Sequence, residues 1–350
     1  MNTIIDVKIP AKLMLFGEYH VLDGGTSLTV TPDCYMTVRV RSGLAGKLSL
    51  NSDLWKTKRV HSTGSAGASK GKPRYLSLLE TTALSAMNAF SLQSADIAVT
   101  SGWKVSDGLG SSSALRLGIW FGLYALSGWK PDDSQSDISE ASLKILRDVW
   151  EDQKRHQGFA SGYDLASQFL GGLVTFSYSD KSWPLSLQRE VCVKNRLNQY
   201  IHVFVGGKGA PTGATGKSHM SWMKQKNLNG KWNEIQARGV SQMSQFLAGS
   251  NHEELVSDLL KTFRQTMCLM EQSPIFPAAV AEILNNVSGL GETWAWKTTG
   301  AGGEDALILF GGELQCDEAI RKLQNAGWKK LLFSCPDKGI LIQRLGSGEE

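Results

Sequence analysis

The chain has 350 residues, 41% hydrophobic and 20% charged, with a formal net charge of +4. That is the composition of an ordinary globular protein, long for one core and short for three, so two lobes are expected. Lysines and arginines are scattered, with no dense basic run beside stacking aromatics, which argues against a nucleic-acid partner. The longest apolar stretch, Leu117 to Trp129, falls short of the ~20 residues that span a bilayer, which argues against a membrane protein. Five cysteines, at positions 34, 192, 268, 316 and 335, form no CxxC pair and have no close histidine. Reduced thiols are expected rather than a disulfide framework or a structural zinc site. Residues 1–12 lack the basic-then-apolar layout of a signal peptide, and a cytoplasmic location is expected.

In chain order, Ile4 to Ile9 reads as a strand, and Lys12 to Phe16 as a second apolar run ending at Gly17. Asp23-Gly24-Gly25 is a turn signal. Tyr35 to Val40 alternates as a strand does, with Lys47 to Leu50 expected to pair beside it. Ser62 to Pro73 is small, polar and breaker-rich, the composition of a mobile surface loop. Tyr75 to Ala89 has a helical pattern. Ser94 to Ser101 reads as a strand delivering the chain to Gly108-Leu109-Gly110-Ser111-Ser112-Ser113-Ala114. A helix is expected over Ser111 to Leu126, where Ala114, Gly118 and Gly122 recur every four residues and offer a smooth face for close approach. Ser134 to Gln153 is a further helical region with Asp137 as its N-cap.

Gly171 to Tyr178 and Tyr200 to Val205 read as strands, the second running into Gly206-Gly207-Lys208-Gly209. Helices are expected over Trp232 to Leu247, His252 to Met270 and Asp317 to Ala326. Strands are expected over Trp294 to Thr298, Ala306 to Phe310 and Lys329 to Ser334. The order mixes alternating and turn-connected strands, so a mixed α+β fold suits it better than a doubly wound parallel sheet. The polar stretch between Tyr178 and Asn198 is the expected boundary, giving lobes of about 1–190 and 191–350. The nicotinamide fingerprint is absent, because Gly108-Leu109-Gly110 lacks its third glycine. A Walker A loop is absent too, because Pro211 stands where its opening glycine would have to be.

Three glycine-bearing segments carry the chemistry: Pro10-Ala11-Lys12-Leu13-Met14-Leu15-Phe16-Gly17-Glu18-Tyr19, the Gly108 to Ala114 run, and Thr299-Gly300-Ala301-Gly302-Gly303-Glu304-Asp305. Small residues and hydroxyls opening an apolar helix let backbone N–H groups wrap phosphate at a helix N-terminus. Taken alone, Ser111 or Ser113 could equally be a helix cap. Asp164, in Ser161-Gly162-Tyr163-Asp164, could equally cap a helix over Leu165 to Leu170.

Together, in this order and with Ser161 to Asp164 between the second and third, these segments resemble the motifs of the GHMP kinases, from about residue 8 to 335. The resemblance implies a two-lobed α+β fold. The N-terminal lobe would be like ribosomal protein S5 domain 2, the C-terminal lobe ferredoxin-like, with the active site between them. It implies ATP and Mg²⁺ as cofactors and a small anionic acceptor, with the protein a monomer or homodimer. Gly108, Leu109, Gly110, Ser111, Ser112 and Ser113 match the ATP loop, with Ser112 helping to hold magnesium. Asp164 matches the catalytic aspartate and Lys12 its electrophilic partner. Glu18, Tyr19, Ser161, Gly162, Gly300, Ala301 and Gly302 fall on the acceptor side. Lys104, Arg155 and Lys208 are candidates for neutralising its anionic groups.

Glu18-Tyr19, the run from Ser161 to Ser167, and Asp305 look most like phosphomevalonate kinases. The spacing from Gly158 to Asp164 is that of mevalonate kinases, the alternative. A non-catalytic metabolite sensor is a third reading, which the presence of Lys12 and Asp164 disfavours. Two departures stand out. Glu304 replaces a customary glycine, and the family's magnesium-binding glutamate falls on Gln153, with Glu151 or Asp152 as possible substitutes. His20 and His156 have no metal-ligand spacing.

Overall fold

The computed structural model describes residues 3–54, 57–62, 77–129, 139–179, 182–206, 212–250, 252–300, 302–332 and 334–345. They form a mixed α+β structure with three sheets. The largest runs, in spatial order, Leu341–Leu345, Ile4–Pro10, Tyr35–Arg41, Ala95–Ser101, Lys47–Ser52 and Thr57–Ser62. Its neighbours are antiparallel except Lys47–Ser52, which runs parallel to Ala95–Ser101. Tyr35–Arg41 alternates as a half-buried strand should, with Met36, Val38 and Val40 inward. Both of its edges are occupied, by Ile4–Pro10 and Ala95–Ser101, so Lys47–Ser52 lies one strand further out than its sequence neighbourhood suggests.

Helix Ser111–Leu126 lies across this sheet. Its glycines serve the expected close approach. A Cβ on Gly118 would stand 2.3 Å from Val38 Cγ2, and one on Gly122 2.7 Å from Val40 Cγ2. Helix Glu140–Gln157 is capped by Ser139, whose hydroxyl accepts the Ser142 N–H, and it ends at Gly158 in the left-handed region. The expected cap, Asp137, lies outside the described residues, as does most of the Ser62 to Pro73 segment.

The second sheet is Leu13–Phe16, Ser27–Val30, Leu173–Ser179 and Ser182–Glu190. Ser182–Glu190 lies within the stretch read from sequence as a polar boundary. The third sheet is antiparallel: Ala295–Thr298, Ala306–Phe310, Ile201–Val205 and Lys329–Leu331. Helices Thr212–Gln225, Asn229–Ala248, His252–Met270, Ala278–Leu284 and Glu313–Asn325 belong to the same half of the chain. The core divides into two clusters. One joins the first two sheets, the helices over them and one face of the third sheet (Val203, Ile308, Phe310), and the other gathers Phe204, Trp232, Trp294, Leu309 and Leu323 on the third sheet's other face. The last strand, Leu341–Leu345, returns to the sheet of the first. Among the described residues no helix is long and apolar enough to cross a membrane.

Candidate active site

Lys12 occupies the two-residue step between strands Ile4–Pro10 and Leu13–Phe16. Its backbone N–H donates to Leu109 O at 3.0 Å, and its Nζ donates to Gly108 O at 3.0 Å. The first and second glycine segments are thereby bonded to each other. Gly110 passes so close to the lysine stem that a Cβ there would lie 2.8 Å from Lys12 Cγ, and its φ of +87° is left-handed. Only glycine satisfies both demands. The third segment joins through Thr299, whose hydroxyl donates to Met14 O at 2.7 Å.

These segments surround a cleft of about 530 Å³, which Asp164 enters from helix Tyr163–Leu170. Lys12, Glu18, Tyr19, Gly108, Gly110, Ser111, Ser112, Ser161, Gly162, Asp164 and Gly300 all line it. Leu109 is buried in the core instead. Ser113 is buried with its hydroxyl donating to Gly110 O at 3.0 Å. Ser111 Oγ accepts from Trp103 Nε1 at 2.9 Å. Ser112 stands where helix Ser111–Leu126 opens onto the cleft. Its N-terminus presents the positive end of the helix dipole there.

Asp164 sits in the first turn of its helix, whose N-cap is Gly162 at φ +79°. Its Oδ1 accepts the Leu165 N–H at 3.0 Å, and its Oδ2 accepts Gln153 Nε2 at 3.0 Å. The carboxylate thus serves its own helix and still lines the cleft. Lys12 is buried; desolvation lowers its pKa, opposed by the charges of Asp164, Asp305 and Glu18. Its Nζ stands 5.7 Å from the centre of the Tyr163 ring. Burial pushes the Tyr163 hydroxyl well above its ordinary pKa, so it is a neutral hydroxyl in the working range.

The Glu18-Tyr19 corner is built from both halves of the chain. Gly17 N donates to Gln236 Oε1 at 2.9 Å, and Trp232 Nε1 donates to Glu18 O at 2.7 Å. Lys297 Nζ donates to Glu18 Oε1 in a buried ion pair and to Thr298 O at 2.8 Å. Burial raises the Glu18 pKa and lowers that of Lys297, while their mutual attraction opposes both shifts. Tyr19 has φ +59°, outside the comfortable range of a bulky residue, and packs 4.4 Å from the His219 ring.

Other sequence candidates fall elsewhere. Lys104 is exposed and outside the lining, starting a short turn in which its N–H donates to Asp107 Oδ2 at 2.9 Å. Glu151, offered as a metal ligand, is exposed and does not line the cleft. The helix turns it away, while Gln153 faces Asp164 from the same helix. Asp152 is committed to buried Arg116 and accepts from Ser85 Oγ at 2.8 Å, so it is no substitute either. Arg155 is largely exposed, 3.7 Å from Asp152. Gly302 lies against Ile275, where an added Cβ would be 2.7 Å from Cδ1. Lys208 and Ala301 lie outside the described residues.

Sequence reading missed Lys297, the Gln153–Asp164 bond and the cleft-lining positions of Tyr163 and Thr299. Lys297 had one visible signal, as the lone charge in strand Ala295–Thr298, all four residues of which are buried. Among the described residues no three His, Cys, Asp or Glu cluster as a metal site. Ser112 and Asp164 do present hard oxygens to one cleft. That suits Mg²⁺, which is commonly held by one or two carboxylates plus phosphate oxygens and water.

No protein-family profile and no curated protein match the chain. Solved structures do. The Listeria innocua protein Lin0012 is similar with a TM-score of 0.71 at 19% identity, covering 98% of this chain and 99% of that one. A Streptococcus pneumoniae phosphomevalonate kinase, solved with phosphomevalonate and AMPPNP, is similar with a TM-score of 0.67 at 17% identity, over 97% and 99% of the two chains. A Lactococcus lactis galactokinase solved with galactose gives 0.68 at 11% identity, over 97% and 95%. At these identities the likeness shows the fold: the chain adopts the α+β architecture of the GHMP kinase structures.

Proposed function

We propose that the protein is an ATP-dependent small-molecule kinase. The supporting observation is that Lys12, Asp164 and the turn from Gly108 to Ser112, drawn from distant segments, line one cleft with a helix N-terminus opening into it. Phosphoryl transfer asks mainly for positioning and electrostatic stabilisation, and these groups are of that kind. The turn and the helix N-terminus receive the nucleotide phosphates. Burial lowers the Lys12 pKa and the carboxylates around it oppose that shift; its Nζ is the group placed to counter charge building on the transferred phosphoryl group. Asp164, held at both oxygens, orients the acceptor oxygen and takes its proton when that oxygen is a hydroxyl. Ser112 and Asp164 are the residues that would hold Mg²⁺, which supplies charge neutralisation between the phosphates. The two expected lobes, about 1–190 and 191–350, would enclose the cleft, with the last strand returning to the first lobe.

The motif pattern points to 5-phosphomevalonate as acceptor, giving 5-diphosphomevalonate and ADP, with mevalonate as the alternative. A second reading, an acceptor carrying no anionic group, is favoured by the charge inventory. Lys12 is the single Lys, Arg or His among the described residues lining the cleft, beside Glu18, Asp164 and Asp305.

ADP release with an acceptor panel tests the kinase assignment, with Asp164→Asn as the discriminating variant. The expected result is loss of most turnover with AMPPNP binding nearly unchanged. Full activity in that variant rejects the role of Asp164. Nucleotide binding with no phosphorylated product from any acceptor would favour a sensor instead.

A further inference from the structure

The segment from Ser334 to Ile340 is a strap that carries the chain from the third sheet back to the first. It is fastened at three points. Asp33 N donates to Ser334 O at 3.1 Å, and Ser334 N and Oγ donate to the Asp33 carboxylate at 2.9 and 2.6 Å. Asp337 accepts from Lys194 Nζ at 3.0 Å. Ile340 N donates to Phe169 O at 3.2 Å, at the end of the helix that carries Asp164. Gly339 packs so closely there that a Cβ would stand 2.1 Å from the same oxygen.

Two cysteines meet inside this fastening. Cys192 and Cys335 each stand two residues before one member of the Lys194–Asp337 pair, which holds the two stretches side by side. Cys335 is 1% exposed and belongs to the larger core cluster, and half-buried Cys192 packs against that cluster. The Cys335 thiol donates a hydrogen bond to the Cys192 sulfur. That bond holds the Cys192 thiol below its ordinary pKa, with burial opposing and Lys194 assisting, and it raises Cys335 together with burial. The pair therefore joins an outer nucleophile to an inner thiol that has to reach only its partner. The other cysteines differ: burial pushes Cys34 up to about 11 and Cys316 up to about 12, and Cys268 is exposed on helix His252–Met270.

We propose that Cys192 and Cys335 are a redox modification site, closing to a disulfide when a low-molecular-mass disulfide such as oxidised glutathione supplies the oxidant. The Cys192 thiolate attacks one sulfur of the reagent, the reagent's S–S bond breaks, and one thiol leaves. Cys335 then attacks the Cys192 sulfur, gives up its proton and expels the second thiol. Two protein thiols are oxidised, and one reagent disulfide is reduced to two thiols. Thiols already in contact need little backbone movement to reach disulfide geometry. The bond would tie the stretch after strand Ser182–Glu190 to the strap across the 143 positions that separate Lys194 from Asp337, a long loop whose closure restricts the unfolded chain. The proposal rests on the fold and stands apart from the kinase reading.

The test uses a Cys268→Ser parent, which removes the exposed thiol. The folded protein is incubated with oxidised glutathione, its thiols are counted with DTNB after denaturation, and linked peptides are mapped by mass spectrometry. The parent is expected to lose two of its four remaining thiols, to yield a Cys192–Cys335 peptide, and to recover both thiols with dithiothreitol. Adding Cys335→Ala should leave glutathione trapped on Cys192, whereas adding Cys192→Ala should leave Cys335 unmodified. Adding Cys34→Ala should change nothing. The oxidised parent should melt several degrees above its reduced form and return on reduction. No Cys192–Cys335 link in the folded protein overturns the proposal, as does a link that forms only in urea or one between Cys34 and Cys335. Glutathione on Cys335 in the Cys192→Ala variant overturns it too. A link that lowers Tm would mean that the strap has to move to make it, and the proposal fails. The peptide map of the parent decides the matter even if a core variant does not fold.

Discussion

The Glu18 carboxylate and the Lys297 ammonium, 279 positions apart, meet in an ion pair almost closed to solvent, with side-chain exposures of 6% and 1%. Lys297 also stands 5.2 Å from the centre of the Phe16 ring. The pair fastens the corner after strand Leu13–Phe16 to the strand that leads into the third glycine segment. Removing one partner strands the other charge, which typically costs about 3–5 kcal/mol, while replacing both by apolar groups is often nearly neutral. Glu18→Leu and Lys297→Met should each lower stability strongly, and the double variant should be more stable than either. Urea denaturation of the four proteins checks this; additive losses would show that the charges are not coupled.

Gly110→Ala separates site damage from fold damage. The added methyl presses on Lys12 Cγ at 2.8 Å and must adopt φ +87°. Strain of this kind costs about 1–3 kcal/mol. Because the atom displaced carries the Nζ of the proposed site, turnover should fall by far more than the shift in Tm accounts for. Equal, small losses in both would place Lys12 outside the chemistry.

Two glycines in helices should respond to alanine with opposite signs. At Gly118 the new Cβ overlaps Val38 Cγ2 at 2.3 Å. Overpacking of about 1–3 kcal/mol then exceeds the gain in helix propensity of about 1 kcal/mol. Gly230, in helix Asn229–Ala248, has nothing within 4 Å of such a Cβ. Gly230→Ala should therefore stabilise by about 0.5–1 kcal/mol. Thermal melts of both variants decide it, and a stabilised Gly118→Ala would contradict the packing described.

His219 supplies a pH dependence. It is fully buried, its Nδ1 lies 2.8 Å from Ser273 Oγ, and burial lowers its pKa from 6.5 to about 4. The unfolded chain takes up this proton first as pH falls, so stability drops between pH 6.5 and about 4. A displacement of that size corresponds to about 3 kcal/mol across the window. His219→Phe should flatten the stability profile over that range relative to wild type, measured by denaturant unfolding at several pH values. Parallel profiles would assign the acid sensitivity to other groups.

Local chemistry was legible where it depends on short-range rules. The glycine-serine turn announced helix Ser111–Leu126, and the every-fourth small residues announced its close approach to the sheet. Lys12 and Asp164 were legible as a pair only through the motif resemblance, since nothing local says that residues so distant share a cleft. Strand Ser182–Glu190 was missed because Pro184 and its exposed positions blur the alternation. Helix Thr212–Gln225 went unassigned, because it opens in threonine, glycine and alanine with no apolar period to mark its start. The partner of Lys297 was beyond reach. Its neighbours predict burial, but a buried ammonium's counter-charge is set by tertiary packing, and Glu18 looked like a ligand-facing residue. Lys47–Ser52 failed for a related reason: pairing order depends on which edges other strands have already filled.

The outer edge of strand Ile4–Pro10 is closed by Leu341–Leu345, a strand far along the chain from it. During synthesis that edge has to stay open until Leu341–Leu345 has left the ribosome. Its row of unpaired amides and carbonyls is then a template for stray association between nascent chains. Completion of the largest sheet is thus a late event, and shortening the protein after Leu331 would leave that edge bare.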